Sequence, residues 1–122
     1  MIRLPAPQPG LVIRYSYLWA REAEAGEESG RKIRPCAVLV AIALHPGKLT
    51  AYVAPITHSR PSTPSDGVEV PAAVRQRLGL DAAPSWIVTT EFNAFQWPGP
   101  DLAAVDRTDG ETNYVLGHLP KR

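Results

Sequence analysis

Proline and glycine interrupt this chain too often for a long helix to form. Thirteen prolines and nine glycines are spread through 122 residues, and the stretches left between them have the length of strands. A mainly β domain with short helices is the expectation. Leu11-Val12-Ile13-Arg14-Tyr15 follows the turn residues Pro9-Gly10, is rich in β-branched and aromatic side chains, and predicts a first strand. Cys36 to Leu44 is a near-continuous apolar run, the pattern of a strand buried on both sides. The turn His45-Pro46-Gly47-Lys48 then predicts a hairpin back through Leu49 to Ile56. Val68-Glu69-Val70 and Ser85 to Glu91 read as further strands, and Asn93 to Pro98 as an extended arm or strand end. Pro71 sits where a first helical turn tolerates it and Gly79 where a helix stops, so Ala72 to Leu78 predicts a helix of about two turns. Arg60 to Gly67 is a loop by composition, and Leu102 to Asp109 reads as irregular.

The length fits one domain over 1–122, large enough to bury roughly two-thirds of its unfolded surface without a metal or disulfide staple. A single cysteine, Cys36, rules out an internal disulfide, fits a reducing compartment and reads as packing. The N-terminus lacks an apolar core of signal-peptide length, and no run approaches the ~18 apolar residues of a membrane span. A soluble, cytoplasmic protein is expected.

A net charge of +1 gives no overall basic field, so any nucleic-acid binding has to come from a local cluster. Arg31, Lys32 and Arg34 form one, and Arg60 lies just beyond the hairpin partner strand. The acids Glu22, Glu24, Glu27 and Glu28 crowd the segment before it, at about 19–32, which has no apolar periodicity and reads as a mobile loop with at most a turn of helix at Arg21 to Ala25. His45, His58 and His118 are too scattered for a zinc site, and no phosphate-cradling glycine loop or Gly-x-Ser-x-Gly elbow is present, so neither a metal nor a cofactor is expected.

Two stretches carry more specific information. Arg31-Lys32-Ile33-Arg34-Pro35-Cys36-Ala37-Val38-Leu39-Val40 and Ala54-Pro55-Ile56-Thr57-His58-Ser59 resemble the "RPxxVL" and "PIT" signatures of the MazF/PemK/Kid toxins. A weaker likeness runs from Pro9-Gly10-Leu11-Val12 to Leu116-Gly117-His118-Leu119. The resemblance implies an SH3-like small barrel with a strongly bent antiparallel sheet. It also implies the toxin of a type II toxin-antitoxin pair, a homodimer whose interface forms an RNA groove. Such a toxin cuts single-stranded mRNA without a metal, and a cognate antitoxin fills the groove with an extended tail. Arg34 and Thr57 would carry the chemistry, and Gly117-His118-Leu119 would lead into a C-terminal helix, either short here or displaced upstream. The family's Gly-Ser-Glu before the arginine is replaced by a shuffled, lengthened Gly26-Glu27-Glu28-Ser29-Gly30.

The residue types suit that chemistry. Cutting RNA without a metal requires the 2′-hydroxyl to lose a proton and attack phosphorus, giving a 2′,3′-cyclic phosphate through a negative phosphorane. A planar, permanently charged guanidinium can hold two of its oxygens. Pro35 pushes Arg34 into an extended conformation at the mouth of its strand; a structural arginine closing the groove or paired with a glutamate is the alternative. Alternation sends Thr57 and Ser59 to one face and His58 to the other, which makes Thr57 and Ser59 candidates to bind the phosphate, unless they merely close a turn. His58 is a groove contact or a bystander. Arg31, Lys32 and Arg60 are candidate backbone contacts, and Trp19 a candidate base-stacking surface, worth ~1–3 kcal/mol per base. Trp86 and Phe92 are expected to pack. The rival readings are a non-catalytic module on the same barrel, like the gyrase-poisoning CcdB relatives, or a degenerate toxin that binds antitoxin or RNA without cutting.

Overall fold

The structure is a computed structural model and describes residues 7–24, 26, 32–99, 102 and 115–120. In chain order it runs β1 (Leu11–Ser16), α1 (Ala20–Glu24), β2 (Ile33–His45), β3 (Lys48–Thr57), a 3-10 turn (Pro64–Asp66), β4 (Gly67–Glu69), α2 (Ala72–Leu78), β5 (Trp86–Val88), β6 (Asn93–Trp97) and β7 (Val115–His118). The strands form a strongly curled antiparallel half-barrel in the order β4-β5-β3-β2-β1-β7, with β6 also paired to β3. The segment read as a loop at 19–32 thus contains α1, with Glu22 and Glu24 in it, while Glu27, Glu28 and Arg31 lie outside the described residues. Gly117 and His118 belong to β7, which pairs with Leu11 and Val12 of β1, and Leu119 N–H donates to Gly10 O at 2.8 Å. The helix that the resemblance places beyond this point also falls outside the described residues.

Alternation along the strands divides the core in two. Leu11, Ile13, Tyr15, Cys36, Val38 and Val53 pack with Tyr17 and Trp19 on one face of the sheet. Val12 and Ile56 pack on the other face against Val70 and the Val74 and Leu78 side chains of α2. Helix α2 covers this second face because its apolar positions four apart share one side. It ends where expected: Gly79 takes a left-handed φ of 74°, and the Gly79 and Leu80 N–H groups donate back to Gln76 O and Arg75 O.

Prolines set the shape. Strands β2 and β3 pair from Cys36↔Pro55 outward to the hairpin turn at His45↔Lys48. On the other side of that first pair stands Pro35, which has no N–H to continue the ladder. Strand β3 therefore leaves β2, and Ile56 and Thr57 pair instead with Ile87 and Trp86 of β5. Strand β2 keeps its pairing with β1, where Arg34 faces Tyr15. The sheet splits at this point.

The far half of β2 departs from expectation. Leu39, Val40 and Ile42 are 46%, 40% and 41% exposed rather than buried on both sides. The described register of β1 on β2 ends at Val12↔Ala37, so the hairpin projects past it. A bulge between Val38 and Val40 also breaks the alternation that would keep one face inward. Phe92, expected to pack, is 57% exposed and only tilts against Tyr52, with ring centroids 5.6 Å apart.

Two predictions test this architecture. At Gly79 an added Cβ meets nothing within 4 Å, so Gly79→Ala carries only backbone strain; denaturant melts should show a loss of about 1–2 kcal/mol. Burial raises the Cys36 thiol pKa against a smaller opposing effect of Arg34, and burial with the neighbouring Glu91 carboxylate raises that of Tyr17. Both groups are folded in the neutral form. The unfolded chain releases these protons first, from about pH 8.5 for the thiol, so stability is complete below that pH and falls as pH rises above it. Cys36→Ala should flatten the onset of this alkaline loss in melts recorded across pH 7–11 (about the range that spans both groups).

Candidate functional site

Two cavities open where the sheet splits, and Arg34 lines both. Alternation along the end of β3 separates its side chains: Thr57 and Ser59 line one cavity, Ile56 and His58 the other.

The Thr57 cavity encloses about 300 Å³ and gathers Arg34, Thr57, Ser59, Arg60 and Trp19 from the residues singled out in the sequence. Arg34 and Thr57 lie beyond the last β2–β3 pair, each two residues from it, and both line this cavity. Arg21 and Asp66 complete the charged lining. Among the described residues, three guanidiniums stand against one carboxylate, which makes this an anion-attracting recess. Thr57 is only 9% exposed, and its Oγ1 accepts the Ser59 N–H at 3.1 Å, closing a local turn. This bond uses the oxygen as acceptor and leaves the hydroxyl proton for a ligand.

Arg34 stacks on Trp19, with its guanidinium carbon 5.3 Å from the ring centroid, and Arg21 lies 4.9 Å from the same ring. Two cations on one indole are held against their mutual repulsion by the electron-rich ring. The Arg34 Nε and Trp19 Nε1 donors are buried and meet no acceptor among the described residues. An unmet buried donor costs ~1–3 kcal/mol, and an oxyanion in the recess is the ligand type that relieves such a cost.

Trp19 is fixed by a small polar frame. It caps α1, and Glu22 Oε1, in the third helical position, accepts the Trp19 N–H at 3.0 Å. Glu91 Oε1 accepts from the Tyr17 hydroxyl and from the Ala20 N–H, each at 3.0 Å. The Asn93 side chain clasps Leu18, accepting its N–H at 2.8 Å and donating to its carbonyl at 2.7 Å.

The second cavity, about 550 Å³, holds Lys32 and His58 of the expected set, with Arg14, Asp81 and Ser85. His58 is pinned at both ring nitrogens, Nδ1 lying 2.9 Å from Pro84 O and Nε2 3.0 Å from Asp81 Oδ2. Both partners are acceptors, so only a doubly protonated ring donates to each at once. Ser85 Oγ stands 3.3 Å from Nδ1, but that nitrogen is turned to the carbonyl, so the arrangement does not activate the serine.

Sequence reasoning passed over Arg21, Asp66, Asp81, Glu91 and Asn93. Asp66 sits in a Pro- and Ser-rich stretch that carries only a turn signal, and Glu91 and Asn93 reach their partners across more than seventy residues of chain. Among the described residues no group of three or more His, Cys, Asp or Glu could hold a metal ion, and no helix is long and apolar enough to cross a membrane. No protein-family model, curated protein or solved structure matches the chain.

The Asn93 clasp yields a test. Asn93→Ala removes both bonds to Leu18 and should cost about 2 kcal/mol in denaturant melts, with the Trp19 indole resonance shifting in NMR spectra as the cap loosens.

Proposed function

We propose that the chain is a metal-independent endoribonuclease that cuts single-stranded RNA at the Arg34–Thr57 recess. The observation that carries this reading is the unpartnered guanidinium Nε of Arg34 in a cationic cavity that Thr57 also lines. In this scheme Arg34 and the Thr57 hydroxyl hold two non-bridging oxygens of the scissile phosphate, with Ser59 and Arg60 steadying the strand. Asp66, the carboxylate lining the same cavity, accepts the 2′-hydroxyl proton. Attack of the 2′-oxygen on phosphorus expels the 5′-oxygen, which takes up a proton, and leaves a 2′,3′-cyclic phosphate.

The likeness of Arg34-Pro35 and Pro55-Ile56-Thr57 to the MazF/PemK/Kid signatures extends the proposal. The half-barrel is then an SH3-like barrel, and the protein a cytoplasmic toxin that works as a homodimer and is silenced by an antitoxin. Exposed Leu39, Val40 and Ile42 offer apolar surface for a partner, and an acidic antitoxin tail would compete with RNA for Arg34. A second reading, a binding module of the CcdB kind or a toxin that has lost cleavage, draws on His58: with both ring nitrogens engaged, it is not placed to move a proton.

Cleavage in EDTA decides between them. Purified protein should convert single-stranded RNA into fragments ending in a cyclic phosphate. Arg34→Ala should slow the reaction by about 10²–10³-fold, and Asp66→Asn should slow it while leaving RNA affinity intact. RNA that is bound but left whole would favour the binding-only reading.

A further inference from the structure

The cavity on the His58 side of the split is not required for Arg34 and Thr57 to grip a phosphate, yet it is the roomier, about 550 Å³ against about 300 Å³. Its lining is arranged in three parts. Lys32 and Arg34, at the start of β2, and Arg14 of β1 supply positive charge. Ile33, Ile56 and Leu116 give an apolar floor. The connection from α2 to β5 contributes Asp81, the one carboxylate lining the cavity among the described residues.

That carboxylate is held in place. Asp81 Oδ2 lies 3.0 Å from His58 Nε2, and Oδ1 accepts the Ala83 N–H at 3.1 Å. Each oxygen keeps a second acceptor site. A fixed acceptor in a cavity otherwise lined by cations repels a phosphate from its own end and draws hydrogen-bond donors there. Apolar side chains line the same cavity. A nucleotide has this sequence of properties, with an anion at one end, a planar ring, and a polar edge.

We propose that this cavity binds one nucleotide of a single-stranded RNA, its phosphate on Lys32 and Arg34, its base on the apolar floor, and its amino-bearing edge toward Asp81. The inference rests on the RNA reading above for the identity of the polymer, and the shared Arg34 makes the occupant the neighbour of the nucleotide at Thr57. Adenine, cytosine and guanine each offer an exocyclic amine to the carboxylate. Uracil has no exocyclic amine, and its one ring N–H on that edge is flanked by two carbonyl oxygens that the carboxylate repels, so it is disfavoured.

The test uses nucleoside 5′-monophosphates on the intact chain, followed by NMR shifts of Lys32, His58, Ser85 and Leu116, so its outcome does not depend on cleavage. Titration with AMP, CMP or GMP should move these signals together, and UMP should bind about tenfold more weakly. Asp81→Asn should bring UMP level with the others. Lys32→Ala, on the exposed rim, should weaken all four alike with the rest of the spectrum unchanged. Equal binding of UMP, shifts confined to the Thr57 side, or a response to an acidic peptide but to no nucleotide would overturn the assignment. Failure of the EDTA cleavage assay alone would instead remove the nuclease and leave this nucleotide site standing.

Discussion

A proline has no main-chain hydrogen to give, and this chain places two, Pro35 and Pro55, where its longest strands run side by side. The ladder between β2 and β3 starts at Cys36↔Pro55 and cannot be extended past Pro35. Freed from β2, the end of β3 joins β5 and draws β4 with it. The split leaves a gap in the sheet, and both cavities open there. Arg34 stands at the gap because β1 still holds it, paired with Tyr15. Thr57, which lines the same cavity, is held by the pairing of β3 with β5. The candidate site is therefore a result of strand pairing that is interrupted, and its two principal residues are anchored by different neighbours.

Local signals were readable in the sequence wherever one residue type dictates backbone geometry. Helix α2 runs over the residues that Pro71 and Gly79 bracket, and the β2–β3 hairpin turns at the expected Pro46-Gly47. The separation of Thr57 and Ser59 from His58 also follows from strand alternation alone. What stayed hidden depends on contacts distant in sequence. Whether an apolar strand such as β2 is covered is decided by the reach of its neighbours, and β1 is too short to shield Leu39 to Ile42. Trp19 looked like a residue at the border of a loop; it is a buried cap of α1 because Glu91 and Asn93, far along the chain, fold back upon it. No periodicity encodes such a return. The bulge in β2 is silent as well, since Val38, Leu39 and Val40 differ too little in character to mark where one residue slips out of register.

The electrostatics of the recess follow from its construction. With a formal charge of only +1, the chain concentrates cations locally, and the electron-rich Trp19 ring attracts both Arg21 and Arg34. An arginine held over an aromatic ring loses rotamer freedom before any ligand arrives, so less entropy remains to be lost on binding. The same stacking turns Nε away from water without supplying an acceptor. Rigidity and an unmet donor together describe a group prepared for an anion.

The Asn93 clasp on Leu18 has a consequence for that recess. Asn93 belongs to β6 and is paired with Val53 in the middle of β3, so the wall carrying Trp19 is tied into the sheet rather than suspended as a flap. A ligand therefore meets a wall already held in place by strand pairing. Trp19 is thus presented by the sheet itself, and a change in β6 that loosens Asn93 reaches the recess through Leu18.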